Sequence, residues 1–120
     1  PTPAPTPEPT AFASLAVDAA GEVVAAGSAD SFDIYVWALQ TGKLLDVLAG
    51  HEGPVSSLAF SPSTSVSTKT LLASGSWDSS VRLWDIFSGR KGAVESFENS
   101  YDVLAVAFRP DGKELCSLRV

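Results

Sequence analysis

The chain has 120 residues, of which 45% are hydrophobic and 18% charged, so it carries enough apolar material for a packed core and does not read as wholly disordered. Its net charge is −6, and the eight Lys and Arg residues are scattered, which argues against a segment that tracks nucleic-acid phosphates or an anionic membrane surface. The one cysteine, Cys116, excludes a disulfide scaffold and fits a reducing, intracellular compartment, and no apolar run approaches the roughly 18 residues of a spanning helix.

Residues 1–11 read PTPAPTPEPTA, with proline at every odd position from Pro1 to Pro9. Each proline fixes φ and removes a donor, so an extended polyproline-II-like linker is expected. Alternating prolines are never three apart, which rules out the PxxP pattern of SH3 ligands. From residue 12 onward the pattern is short strands punctuated by Gly, Ser, Asp and Pro. The expected strands are Ser14–Asp18, Glu22–Ala26, Ile34–Leu39, Lys43–Leu48, Val55–Ser61, Thr70–Ser74, Val81–Ile86, Ala93–Phe97, Val103–Arg109 and Glu114–Leu118. No stretch shows sustained 3.6-residue apolar periodicity, so an all-β sandwich, barrel or propeller is expected.

Internal repetition decides among these. Leu15–Leu45 aligns with Leu58–Gly92, matching Val17 with Phe60, Gly27 with Gly75, Asp30 with Asp78, Trp37 with Trp84 and Gly42 with Gly89. A further copy begins near Val103, with Phe108 matching Phe60. The stretch Ser65–Lys69 lengthens the second copy between two strands. A period in the forties with a tryptophan near the end of each unit is the signature of propeller blades.

The unit that opens on Gly50-His51, continues through Ser61-Pro62 and Ala73-Ser74-Gly75-Ser76, contains Asp78 and closes on Val81-Arg82-Leu83-Trp84-Asp85 resembles a WD40 repeat. The resemblance covers nearly all of residues 12–118. It implies an all-β partial WD40 propeller of about two and a half four-stranded antiparallel blades. Residues 12–49 form the first unit, 50–98 the second and 99–120 a truncated third. The stretch Ser31–Pro62, with residues 74–87 and 102–115, is further similar to WD-repeat components of the small-subunit processome, the segment Ser31–Trp37 carrying most of that likeness. That likeness implies a non-catalytic scaffold in ribosome biogenesis and pre-rRNA processing, with a nucleolar location. It also implies that the partners are other proteins of a large assembly, that association with a small nucleolar ribonucleoprotein is indirect, and that no membrane, small-molecule substrate, cofactor or metal takes part.

In WD repeats a buried indole N–H is satisfied by a hydroxyl, which a histidine and a turn aspartate support. Carried onto this chain, that structural network is His51, Ser74 or Ser76, Asp78 and Trp84, and the choice between the serines stays open. The first unit offers only Asp30 and Trp37. The same residue types occur in hydrolase triads, but the chain lacks a Gly-x-Ser-x-Gly elbow, and Ser-Gly-Ser is placed inside a strand. His51 is the only histidine and has no paired cysteine, so a metal site is not expected. Trp77, in the turn before Asp78, is a candidate partner contact, with packing on Arg82 or a neighbouring blade as the alternative. Arg82 and Tyr101 are weaker candidates. Phe87 stands where ubiquitin-ligase substrate receptors often carry a basic residue, which weakens that reading. A WD40 adaptor of another pathway, and a remnant without independent function, remain as alternatives.

Overall fold

The computed structural model describes residues 11–62, 71–86, 92–98, 103–108 and 115–119. The proline-rich residues 1–10, the stretch Ser65–Lys69, Phe87, Tyr101 and the turn at Pro110–Gly112 lie outside them. Ten strands run in order: β1 (Phe12–Val17), β2 (Val23–Ser28), β3 (Ile34–Ala38), β4 (Leu44–Leu48), β5 (Val55–Phe60), β6 (Leu71–Ser76), β7 (Ser80–Asp85), β8 (Glu95–Glu98), β9 (Val103–Phe108) and β10 (Leu115–Arg119). They form two four-stranded antiparallel sheets, β1-β2-β3-β4 and β5-β6-β7-β8, and a two-stranded pair, β9-β10. Within each sheet every strand pairs with its neighbours in sequence, so the chain meanders outward through one blade before starting the next.

Two expected boundaries are wrong for one physical reason. Strands β2 and β6 were expected to stop at Ala26 and Ser74 because glycine follows, yet both run two residues further. Gly27 pairs with Ile34 and Gly75 with Val81, inside regular ladder. Here glycine marks a close approach rather than a turn. A Cβ on Gly27 would lie 2.6 Å from Cγ1 of Val55, at the start of β5. A Cβ on Gly75 would lie 2.5 Å from Cγ1 of Val103, at the start of β9. The second approach repeats the first, 48 residues along the chain. Serine hydroxyls of the adjacent strands join the same sheets: Ser14 of β1 donates to the carbonyl of Val55, and Ser56 of β5 donates to the carbonyl of Val103. Register irregularities at Phe12/Ser14 and Val55/Ser57 bend β1 and β5 at this place.

The core lies between sheets. Val23, Ala25, Ile34, Val36 and Leu48 of the first sheet pack on Val55, Leu58, Leu72, Trp84 and Ile86 of the second or its flank. Ala73 and Val81, on the other face of the second sheet, pack on Val103 and Val106. Both faces of the central sheet are therefore covered, and apolar residues of both parities occur in its strands. The opposite face of the first sheet is open. Leu15, at 68% exposure, and Val17, Val47 and Phe12 stand on it or at its edge.

Candidate functional site: the histidine–tryptophan network and the loop end above it

Trp84 pairs across the ladder with Leu72, and Arg82 with Ser74, so all four share the face turned to the first sheet. The indole is 1% exposed. Its Nε1–H donates to Oγ of Ser74 at 2.8 Å. Ser74 in turn lies 2.6 Å from Nε2 of His51, and Nδ1 of His51 lies 2.9 Å from Oδ2 of Asp78. An ionised carboxylate only accepts, so the imidazole carries its proton on Nδ1 and donates it to Asp78. Nε2 then accepts the Ser74 O–H, and the Ser74 oxygen accepts the indole. Every donor points the same way, from Trp84 through Ser74 and His51 to Asp78.

The turn that holds Asp78 is built from hydroxyls and backbone. Ser76 does not reach Trp84. Its hydroxyl donates to the carbonyl of Gly53 and accepts the N–H of Asp78. Ser28 plays the matching part in the first sheet, accepting from the N–H groups of Asp30 and Ser31. Asp78 also accepts from the N–H of Glu52, the N–H of Ser80 and the hydroxyl of Ser80. Ser80, 3% exposed, went unnoticed in the sequence. Its signal is its place two residues after Asp78, the spacing at which an aspartate side chain bonds its own turn.

Burial opposes the charge of Asp78, but the hydrogen bonds from Ser80, Glu52 and His51 outweigh it and hold the carboxyl at about 2, below its ordinary 3.8. Burial is also the largest influence on His51. It drives the imidazole below its ordinary 6.5, with Arg82 adding to the effect and Asp78 opposing it. Above pH 6.5 the folded and unfolded chains both keep His51 neutral. Below that value the unfolded chain takes a proton that the folded chain refuses, so stability falls. Asp78 contributes fully above 3.8 and loses its contribution as pH drops through about 2. Burial raises Asp33, which acts in the opposite sense nearer its own range. Thermal melts should therefore shift downward from pH 7.5 to 5.5. Because the chain has one histidine, His51→Gln should flatten that slope even though it lowers the plateau.

The first sheet lacks the network. Ala26 stands where the second sheet has Ser74, and no histidine precedes β1. Asp30 accepts instead from the N–H of Ala11. Trp37 makes ring contacts, stacked on Tyr35 at 5.9 Å and edge-on to Phe12 at 5.7 Å. Asp30 and Trp37 are thus not joined, because the hydroxyl that would link them is absent.

Of the contact candidates, Trp77 is 55% exposed in the β6–β7 turn. Arg82 is half-buried on the inter-sheet face, where a Cβ on Gly50 would lie 2.9 Å from its Nη1, and its buried Nε has no hydrogen-bond partner among the described residues. Tyr101 lies outside the described residues.

Meandering four-stranded sheets, stacked through glycine gaps and carrying a hydroxyl-supported tryptophan, define a stretch of WD-repeat β-propeller. Residues 42–85 match the family model "WD domain, G-beta repeat", and the chain is a WD40-repeat chain. The matched span opens on β4 of one sheet and closes with β7 of the next, so each sequence repeat straddles two sheets. The chain is similar to periodic tryptophan protein 2 homolog of Schizosaccharomyces pombe, 59% identical over 92% of this chain and 12% of that protein. It is likewise similar to periodic tryptophan protein 2 of Arabidopsis thaliana, 56% identical over 93% of this chain and 12% of that protein, and of Saccharomyces cerevisiae, 60% identical over 87% of this chain and 11% of that protein. The chain spans about 12% of the length of the curated relatives it matches. A chain in a crystal structure of the mitotic checkpoint complex shares the fold, with TM-score 0.80 at 23% identity, over 93% of this chain and 32% of that one.

Proposed function

We propose that this segment supplies non-catalytic propeller blades to a scaffold of the small-subunit processome, acting in pre-rRNA processing in the nucleolus. Units 12–49, 50–98 and 99–120 are its blades or partial blades, and His51, Ser74, Asp78 and Trp84 hold the second one together. Its partners are other proteins of the assembly, with the small nucleolar ribonucleoprotein reached through them. The observation that carries the non-catalytic reading is Ser74. Its hydroxyl is wholly buried, donates to His51 and accepts from Trp84, so the serine on the Nε2 side of the histidine has no access to a substrate. The processome assignment rests on the similarity to periodic tryptophan protein 2.

Affinity capture of the full-length protein that contains this chain, followed by mass spectrometry, tests the assignment. Enrichment of small-subunit assembly proteins supports it, and enrichment of ubiquitin-ligase or signalling subunits favours an adaptor of another pathway. Trp77→Ala should change stability by less than about 0.5 kcal/mol, since the indole is largely in water, while reducing capture of partners. A large drop in melting temperature would show that Trp77 is a packing residue instead.

A further inference from the structure

Most exposed large apolar side chains lie on the open sheet face or along strands, but Trp77 stands in a loop at the end of the sheets where His51 lies. Its backbone is already fixed. The N–H of Trp77 donates to the carbonyl of Pro54, and the N–H of Asp78 to Ser76. Gly53 approaches so closely that a Cβ there would be 3.0 Å from the Asp78 nitrogen. Presenting the indole to a partner therefore requires little loop ordering.

The surroundings are acidic. The loops at this end carry Asp30, Asp33, Glu52 and Asp78, and β8 ends here on Glu98. Among the described residues these loops contain no Lys or Arg. The buried pair beneath Trp77 does not cancel this charge. His51 is neutral and Asp78 ionised, so together they keep one negative charge. Arg82 is the cation that faces them, and it lies on the inter-sheet face against Gly50 and Trp84. Glu52 is exposed beside the turn and anchored through its own N–H to Asp78, which leaves its carboxylate free to face solvent.

We propose, building on the scaffold reading above, that Trp77 and Glu52 form the seat for a basic segment of a partner protein, with an arginine guanidinium lying flat on the indole and the Glu52 carboxylate beside it. A planar cation gains from the ring face and from the acidic field together, and both groups are presented by backbone that need not move.

The probe is an acetylated arginine–glycine repeat peptide, titrated into the 120-residue chain by tryptophan fluorescence and calorimetry. A citrulline–glycine peptide serves as its neutral counterpart. Trp77→Ala and Glu52→Gln should each weaken arginine-peptide binding by about five-fold or more, with circular dichroism melts unchanged. Glu22→Gln, which removes the same charge from the β1–β2 turn at the other end, should leave binding nearly unaltered. The citrulline peptide should not bind. Equal losses for Glu22→Gln and Glu52→Gln would overturn the proposal in favour of diffuse charge attraction. An unchanged Trp77→Ala, or equal binding of the citrulline peptide, would overturn it as well. If Trp77→Ala abolishes capture of assembly proteins while the arginine peptide fails to bind, the scaffold reading stands and this seat is rejected.

Discussion

Ser74→Ala is expected to destabilise the chain by about 2–6 kcal/mol, since each of the two buried groups it strands costs roughly 1–3 kcal/mol. The indole N–H of Trp84 loses its acceptor, and Nε2 of His51 loses its donor. Neither has a route to water, as Trp84 and His51 are both buried. A domain of ordinary stability holds only about 5–15 kcal/mol in total, so this one oxygen decides much of whether the blade stays folded. Trp84→Phe keeps an aromatic ring but removes the N–H, and should cost about 1–3 kcal/mol through the void it leaves. With Trp84→Phe in place, Ser74→Ala strands one group rather than two. The double variant should therefore fall short of the summed single costs by about 1–2 kcal/mol. Urea denaturation of the four proteins measures this coupling, and strict additivity would show that the hydrogen-bonded chain is not a cooperative unit.

The second large effect concerns the gap between sheets. Gly75→Ala should destabilise by about 1–3 kcal/mol, the usual cost of forcing a methyl into a filled core. The new Cβ would meet Cγ1 of Val103 at 2.5 Å and Cγ1 of Val106 at 3.1 Å. Valine is stiff at χ1 and Val103 is fully buried, so the obstruction cannot swing aside. Adding Val103→Ala to Gly75→Ala should recover part of the loss, although Val103→Ala alone is destabilising. That sign reversal, read by thermal melting, separates a steric gap from a simple preference for glycine in the strand. If Val103→Ala worsens both backgrounds equally, the sheets are not held at a distance that Gly75 defines.

Much of this architecture is visible in the residue pattern, because a repeated blade writes its spacing into the chain. The pairs Gly27 and Gly75, Asp30 and Asp78, and Trp37 and Trp84 mark equivalent places in two sheets, and they needed no coordinates to find. What the pattern could not resolve is the choice between Ser74 and Ser76. Both lie on the same face of β6, since side chains repeat every two residues. Only the pairing of Trp84 with Leu72 places the indole one step from Ser74 and leaves Ser76 beside the turn. Arg82 shows a related limit. It reads as a surface cation in isolation, but its parity matches Trp84 and carries it toward the neighbouring sheet. Gly27 and Gly75 were read as punctuation for the same reason. Their use depends on strands some 28 residues away in sequence, Val55 and Val103, which no local window contains.

Trp84 is covered by the sheet that precedes its own, as the packing of Val23, Ala25, Ile34, Val36 and Leu48 around it shows. The arrangement is directional with respect to biosynthesis. A ribosome working from the N-terminus completes β1 to β4 before it reaches the codon for Trp84. The residues of its wall thus leave the exit tunnel before the indole does, so the contacts that cover Trp84 need no sequence still to be made.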